Sequence, residues 1–396
     1  MNHSFYLELG GTETTGYGVE AWDGYEITLD MLQPGSPWTF ELWRVEGTRN
    51  TWSELNARAL LGERVTLAID GLVMLDGKIR SVRSGADRSR ASLVISGSDL
   101  AGAAMHADAD PTRTFRGLTL QTALERLFEP LSIAVELGEG VDPSGVVPSL
   151  RPPRRPVRQP SRRRTVVDRF RPRVGEKVWQ CADALCRKAG YLLWTAPGST
   201  PDRLVVRVDS PRTTGDVRFA FLRELDGDVV TQRSNILAGH YLRSIDNVPS
   251  DVTVFCDQPR GDVSAARTAR TVLNNQFSGD DFAFIVPKQP QYVLSSRARS
   301  VGAAQREATR IIGDANRTLR AYTCTVQGHG QEVAGQRYLY QPNELARVRD
   351  DIDGTTLDGL ITRVVLRGGR GEGGGKGQTT ELRIVPRGAI KVSPEA

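Results

Sequence analysis

A chain of 396 residues, 39% hydrophobic and 25% charged, exceeds what a single core usually holds and has material for two to four domains. Its net charge of +5 is misleading, because residues 151–173 carry ten arginines against one acid, Asp168, which is +9 and leaves −4 for everything else. No apolar run reaches the roughly 18 to 20 residues of a membrane span, and Met1-Asn2-His3-Ser4 lacks the basic start and apolar stretch of a secretion signal, so a soluble chain folded in the cytoplasm is expected.

The first hundred residues alternate: Tyr25, Ile27, Leu29; Trp38, Phe40, Leu42; Val65, Leu67, Ile69; Leu93, Ile95. Runs of period two separated by Pro34-Gly35, Asp70-Gly71 and Asp76-Gly77 predict an antiparallel sheet with one buried face, a barrel or half-barrel, over residues 1–104. From about residue 105 the period changes. Leu120, Ala123, Leu124, Leu127 and Phe128 form one helical face that Pro130 ends, and Val178, Cys181, Ala182, Leu185, Cys186 and Ala189 form a second, with Gly190 placed to cap it. Strands at Tyr191–Trp194 and Leu204–Val208, joined through Pro197-Gly198, complete a small α/β domain over 105–230, interrupted by the Arg/Pro-rich insertion 151–173. Strand-like stretches return at Leu237–Leu242 and Val252–Phe255. After a less legible connection, Val301, Ala304, Ala308, Ile311, Ile312 and Ala315 mark a third amphipathic helix within a connecting segment, 259–319. A second β-domain is predicted from 231–258 together with 320–392, so the fold class is α+β, mainly β.

One block occurs twice. Ile69-Asp70-Gly71 is followed by Leu75-Asp76-Gly77-Lys78-Ile79, and Ile352-Asp353-Gly354 by Leu357-Asp358-Gly359-Leu360-Ile361, one residue shorter. Each block runs on through an alternating stretch to a closing strand, Leu93-Val94-Ile95 or Leu382-Arg383-Ile384. Two copies this far apart are too few for a solenoid and predict two related β-domains of the form strand, tight Asp-Gly turn, strand, hairpin, strand.

The motifs that suggest chemistry fail on detail. Gly368–Gly377 has a glycine-rich phosphate-loop look, but Arg370 stands where the first Gly belongs, Lys376 precedes Gly377 instead of Ser or Thr, and strands flank it. Asp351-Ile352-Asp353-Gly354 lacks the acids of a calcium loop, with Arg349 and Leu360 at ligand positions. Cys181, Cys186, Cys256 and Cys324 show no metal-ligand spacing, and His3, His106, His240 and His329 belong to no catalytic motif. No catalytic, metal or cofactor residue is therefore predicted. Arg154, Arg155, Arg158, Arg162, Arg163 and Arg164 are candidate contacts to nucleic acid or to an acidic surface, since closely spaced guanidiniums neutralise phosphates. The near absence of aromatics there leaves base stacking unsupported and an exposed basic loop as the plainer reading.

The stretch Val65–Asp99, the helix Leu118–Phe128, the run Gly175–Gln180 opening a helix that ends in Lys188-Ala189-Gly190-Tyr191, Ser234–Leu237, and the run from Thr323 to Pro386 together resemble the Mu-like bacteriophage baseplate hub proteins. Those proteins are relatives of the hub and spike proteins of contractile tails and type VI secretion. The resemblance implies two tube-type antiparallel β-barrel domains with the small α/β domain inserted, and a homotrimer whose six barrels match a sixfold tail tube on one side and a trimeric spike on the other. It further implies a place in the tail baseplate of a virion, assembled in the host cytoplasm. The implied partners are the tube or tube-initiator protein, the spike, the tape measure and other baseplate proteins, with DNA only in transit, no membrane and no cofactor. The Arg/Pro stretch is longer and more basic than the resemblance leads one to expect. A DNA-binding tail protein acting through residues 151–173 is the alternative, and an enzyme is not expected, because no unassigned stretch of domain size remains to hold a hydrolase.

Overall fold

A computed structural model describes residues 5–9, 23–44, 61–86, 91–115, 118–138, 141, 170–198, 204–227, 229–244, 248–256, 269–273, 289–295, 301–370 and 376–390. The fold is mainly β. Twelve strands form one sheet. In chain order they are β1 (Phe5–Leu9), β2 (Gly24–Asp30), β3 (Pro37–Arg44), β4 (Arg64–Ile69), β5 (Leu72–Ala86), β6 (Ala91–Asp99), β7 (Phe219–Arg223), β8 (Ile236–Arg243), β9 (Arg320–Gln327), β10 (Leu345–Asp350), β11 (Thr355–Arg370) and β12 (Lys376–Pro386).

Strands β1–β6 pair in the order β1-β4-β5-β6-β3-β2, and strands β7–β12 in the order β7-β10-β11-β12-β9-β8. The two halves thus follow one topology, apart from the outermost pair, antiparallel for β1·β4 and parallel for β7·β10. Correspondence reaches single residues. Both long strands carry a bulge at the same place, Arg80 between Ile79 and Ser81 in β5 and Thr362 between Ile361 and Arg363 in β11. The extra residue of the first copy is Met74, bulged out between Val73 and Leu75 opposite Leu67 and Ala68. A bulge absorbs one residue without moving the neighbouring side chains to the wrong face, which is why the repeats stay in register despite unequal length.

The alternation seen in sequence maps onto one core. Ile27, Phe40, Leu67 and Ile95 of the first half and Phe221, Val348, Val364 and Leu382 of the second lie in the same buried cluster. Among the described residues the strands close no barrel within one chain: the path runs open from β1 to β8, and the two halves meet where β2 pairs with β11.

Three helices pack on the small α/β unit: α1 (Ala101–His106), α2 (Leu120–Phe128) and α3 (Val178–Ala189). The Thr119 hydroxyl caps α2 by accepting from the Thr122 amide at 3.2 Å, and Gly190 closes α3 in the left-handed conformation, φ 86°. Their apolar faces cover a three-stranded sheet of Val135–Leu137, Leu192–Pro197 and Leu204–Asp209. Trp194 on the opposite face packs with Leu345, Leu360 and Val385 of the second half.

Four findings depart from the sequence reading. The stretch Phe219–Arg223, expected within the α/β domain, is a strand of the second half. The strand Asp251–Cys256, expected beside the strands after 320, pairs instead with Ala269–Leu273 and Pro290–Ser295. This separate sheet is covered by α4 (Val301–Leu319) through Val252, Val254, Ala304 and Ala308. Asp76-Gly77 is no turn but the middle of β5, and Asp358-Gly359 lies within β11. Asp70-Gly71 is a two-residue hairpin turn with φ 50° and 81°, whereas its counterpart is the longer link Asp351–Gly354, in which only Gly354 has a positive φ.

Candidate functional site

The seam between β2 and β11 is where the two halves become one sheet. Seven residue pairs face each other, from Gly24 opposite Gly369 to Asp30 opposite Arg363. On the core side Ile27 and Leu29 meet Leu366 and Val364, all at 1% exposure or less, and burying such side chains contributes roughly 1.5–3 kcal/mol each. Tyr25 lies over Gly368, where a Cβ would stand 2.1 Å from the ring. On the other side Glu26 accepts from Arg367 Nε at 2.9 Å, while Arg367 also donates to Glu381 of β12 at 2.6 Å. This ladder of charge is half-exposed and so adds only modestly to affinity, but it fixes the register of the strands.

Polar groups cross the seam inside the core as well. Tyr25 of the first half is within 2.6 Å of His329 Nε2, and His329 Nδ1 is 2.9 Å from the Thr380 hydroxyl, which donates to the Gly328 carbonyl at 2.6 Å. Burial drives the Tyr25 phenol far above its ordinary pKa, so it stays a neutral donor. At a second contact between halves, Arg337 reaches Asp70, the turn residue of the first hairpin, at 3.4 Å.

The second half is braced by a buried trio. Arg223 of β7 clasps Asp350 of β10 through Nε at 2.7 Å and through its second nitrogen at 2.5 Å, and Tyr322 of β9 donates to the same carboxylate at 2.5 Å. Burial by itself would raise Asp350, but the hydrogen bonds from Arg223 and Tyr322 and the guanidinium charge hold it below the usual carboxylate range. Cys324, enclosed nearby, is pushed up to about 12 by burial and is not a thiolate nucleophile at neutral pH.

Sequence reasoning passed over the role of the repeated Asp-Gly pair. A Cβ on Gly77 would meet the Ser98 carbonyl oxygen at 2.4 Å, and one on Gly359 the Val385 carbonyl oxygen at 2.5 Å. The adjoining Asp76 takes a two-pronged hydrogen bond from Arg64 at 2.8 and 2.7 Å, and Asp358 one from Arg347 at 2.7 and 2.9 Å. Each pair therefore marks a close strand approach followed by an ion pair to the next strand, and the recurrence of the spacing was the available signal.

Among the described residues no group of three His, Cys, Asp or Glu side chains could hold a metal ion, and no helix is long and apolar enough to cross a membrane. The arginines Arg154, Arg155, Arg158, Arg162, Arg163 and Arg164 lie outside the described residues, as do residues 371–375 of the glycine-rich stretch.

No family model and no curated protein matches the chain. Solved structures do. The tail protein of Neisseria meningitidis MC58 is 22% identical, with a TM-score of 0.72 over 100% of this chain and 99% of that one. A 43 kDa tail protein of prophage MuSo2 from Shewanella oneidensis is 17% identical, with a TM-score of 0.71 over 98% of this chain and 100% of that one. A component of the Escherichia coli type VI secretion system, described as structurally similar to the T4 tail proteins gp27 and gp5, is 9% identical, with a TM-score of 0.52 over 98% of this chain and 79% of that one. The chain therefore has the fold of these tail proteins over almost its whole length.

Proposed function

We propose that this chain is the baseplate hub of a contractile phage tail or related injection device, an adaptor without catalysis. In this reading three copies form a ring. Each supplies two tube-type β-modules, so six modules meet a sixfold tail tube on one side while the ring keeps the true threefold symmetry of a trimeric spike on the other. The ring lines the channel through which DNA passes, and the tape measure and other baseplate proteins are further partners. It would act in the virion, in the tail baseplate, after assembly in the host cytoplasm.

One observation carries the reading: a single strand order is used twice, and the two copies are joined edge to edge in one sheet. A protein bridging partners of different rotational symmetry needs two similar modules on one chain, and the repeat supplies them. A closed ring also keeps head-to-tail contacts from propagating into fibres.

The test is the mass and shape of the purified protein. Sedimentation at micromolar concentration is expected to give three times the mass of the chain, and negative-stain images a threefold annulus. A monomer at that concentration overturns the proposal.

A further inference from the structure

The seam inside the chain is a template for contacts between chains. Laying the second half on the first, residue by residue, puts β8 where β2 stands and β5 where β11 stands. Ile27 lies opposite Trp38, which faces Gly97, and Tyr241 lies opposite Tyr322, which faces Ile384 at the position equivalent to Gly97. The bulged Arg80 and Thr362 fix the other alignment.

Burial differs between the matched strands in one consistent way. In β2, Tyr25, Ile27, Thr28 and Leu29 are buried, because β11 lies alongside. Their counterparts in β8 are not: Tyr241 is half-buried, Arg243 is exposed, and Leu242, in the place of Thr28, is 51% exposed. In β11, Thr362, Val365 and Leu366 are buried, whereas the matching Arg80, Arg83 and Ser84 of β5 are exposed. Among the described residues β8 pairs only with β9, and β5 beyond Ile79 pairs only with β6. Among the described residues the chain thus has one open edge of the β2 type and one of the β11 type, and unpaired backbone groups of this kind recruit another strand.

We infer that β8 of one copy adds antiparallel to the C-terminal part of β5 of the next, reproducing between chains the pairing of β2 with β11. This rests on the ring reading above and names the contact that closes it. The register follows from the template. Thr28 opposite Val365 becomes Leu242 opposite Arg83, and Glu26 opposite Arg367 becomes His240 opposite Gly85. Among the described residues the sheet stays open between β5 and β8 within the chain, so this pairing joins different copies.

Paired cysteines test it. The Met31 amide donates to the Thr362 carbonyl, which makes Thr28–Val365 and Glu26–Arg367 the pairs without mutual backbone hydrogen bonds, where side chains approach most closely. The double variants L242C/R83C and H240C/G85C, mildly oxidised, should give dimers and trimers on a non-reducing gel that collapse to monomer with thiol. L242C/S84C, offset by one residue, points its thiols to opposite faces and should give none. Unsubstituted protein provides a second measurement, since hydrogen exchange in residues 81–86 and 238–243 should be slowed in the oligomer as in paired strands. A trimer in which neither pair cross-links, in which the offset pair does so equally, or in which these amides exchange as unpaired chain overturns the strand pairing and leaves the ring. A monomeric protein overturns both.

Discussion

Tyr25 donates a hydrogen bond from its hydroxyl to Nε2 of His329, a residue 304 positions away in the link that follows β9 of the other half. The direction follows from the far end of the chain of contacts. The Thr380 hydroxyl spends its proton on the Gly328 carbonyl, so it must accept from His329 Nδ1, and a neutral ring protonated there has only a lone pair at Nε2 to offer Tyr25. The tautomer is assigned from this pattern of hydrogen bonds.

Removing the phenol oxygen in Tyr25→Phe takes away the buried hydrogen bond to His329 Nε2, which costs about 1–3 kcal/mol. Gly368→Val costs at least as much by forcing a branched side chain into the ring of Tyr25. Arg367→Ala, on the half-exposed side of the same seam, should cost under about 1 kcal/mol. Denaturant unfolding of the three variants checks the order, and an Arg367→Ala loss exceeding that of Tyr25→Phe contradicts the assignment of the seam's strength to its core side.

The repeated Asp-Gly pairs give a second prediction. Gly77→Ala and Gly359→Ala each drive a methyl group into a backbone carbonyl of the neighbouring strand, which cannot move aside as a flexible side chain would. A loss of roughly 1–3 kcal/mol is expected for either. Gly377→Ala, with nothing within 4 Å, should change the unfolding midpoint little. Equal effects at all three positions would falsify the close-approach reading.

These glycines also mark where the sequence stopped being legible. Alternation along Tyr25, Ile27 and Leu29 and the helical spacing of Val178 to Ala189 located the elements well, because burial of one face imposes its period directly. A glycine demanded by a crossing strand looks in sequence like a glycine demanded by a turn, so Asp76-Gly77 read as a hairpin. The strand Asp251–Cys256 was visible as a strand, but its partners Ala269–Leu273 and Pro290–Ser295 could not be chosen without the packing of α4. The site was least legible of all. Glu26 and Arg367 are unremarkable surface charges until a register of 341 residues' separation places them face to face.

Acidification should reveal Asp350. Its carboxyl is depressed in the folded state, so the stability it contributes is fully present above the unfolded value of about 3.9 and is lost as pH falls through the lower folded value. Among the described residues, Asp350→Asn leaves the largely buried Arg223 guanidinium with only its longer contact to Asp353 at 3.5 Å, and a loss of about 2–3 kcal/mol near neutrality is expected. Asp99 and Glu344 move oppositely, raised first of all by burial, so protonating them favours the fold. The difference between parent and variant cancels those two groups and leaves Asp350 together with Asp353, whose carboxyl is pushed up by burial and by the Asp350 charge. Unfolding followed from pH 7 to pH 3 should show that gap narrowing below about pH 4, and a gap independent of pH would mean that the trio's charge contributes nothing.

The Arg/Pro stretch makes the last prediction, and it turns on separating charge from architecture. Residues 151–169 carry eight arginines against Asp168, which is +7 of a net +5, so deleting them inverts the sign of the protein to −2 while sparing Phe170, which is buried in the core of the α/β unit. The deleted chain should leave a cation exchanger unretained near neutral pH and bind an anion exchanger. If the six clustered arginines contact DNA, retention by the parent falls steeply between about 50 and 200 mM salt, because each neutralised phosphate releases counterions, and the deletion abolishes it. Both open edges proposed to join the copies lie in β5 and β8, outside the deleted residues, so the sedimentation coefficient should report the same number of subunits. A deletion that dissolves the oligomer would make the basic stretch part of the assembly contact, and retention of DNA by the deleted chain would move nucleic-acid binding onto the folded body.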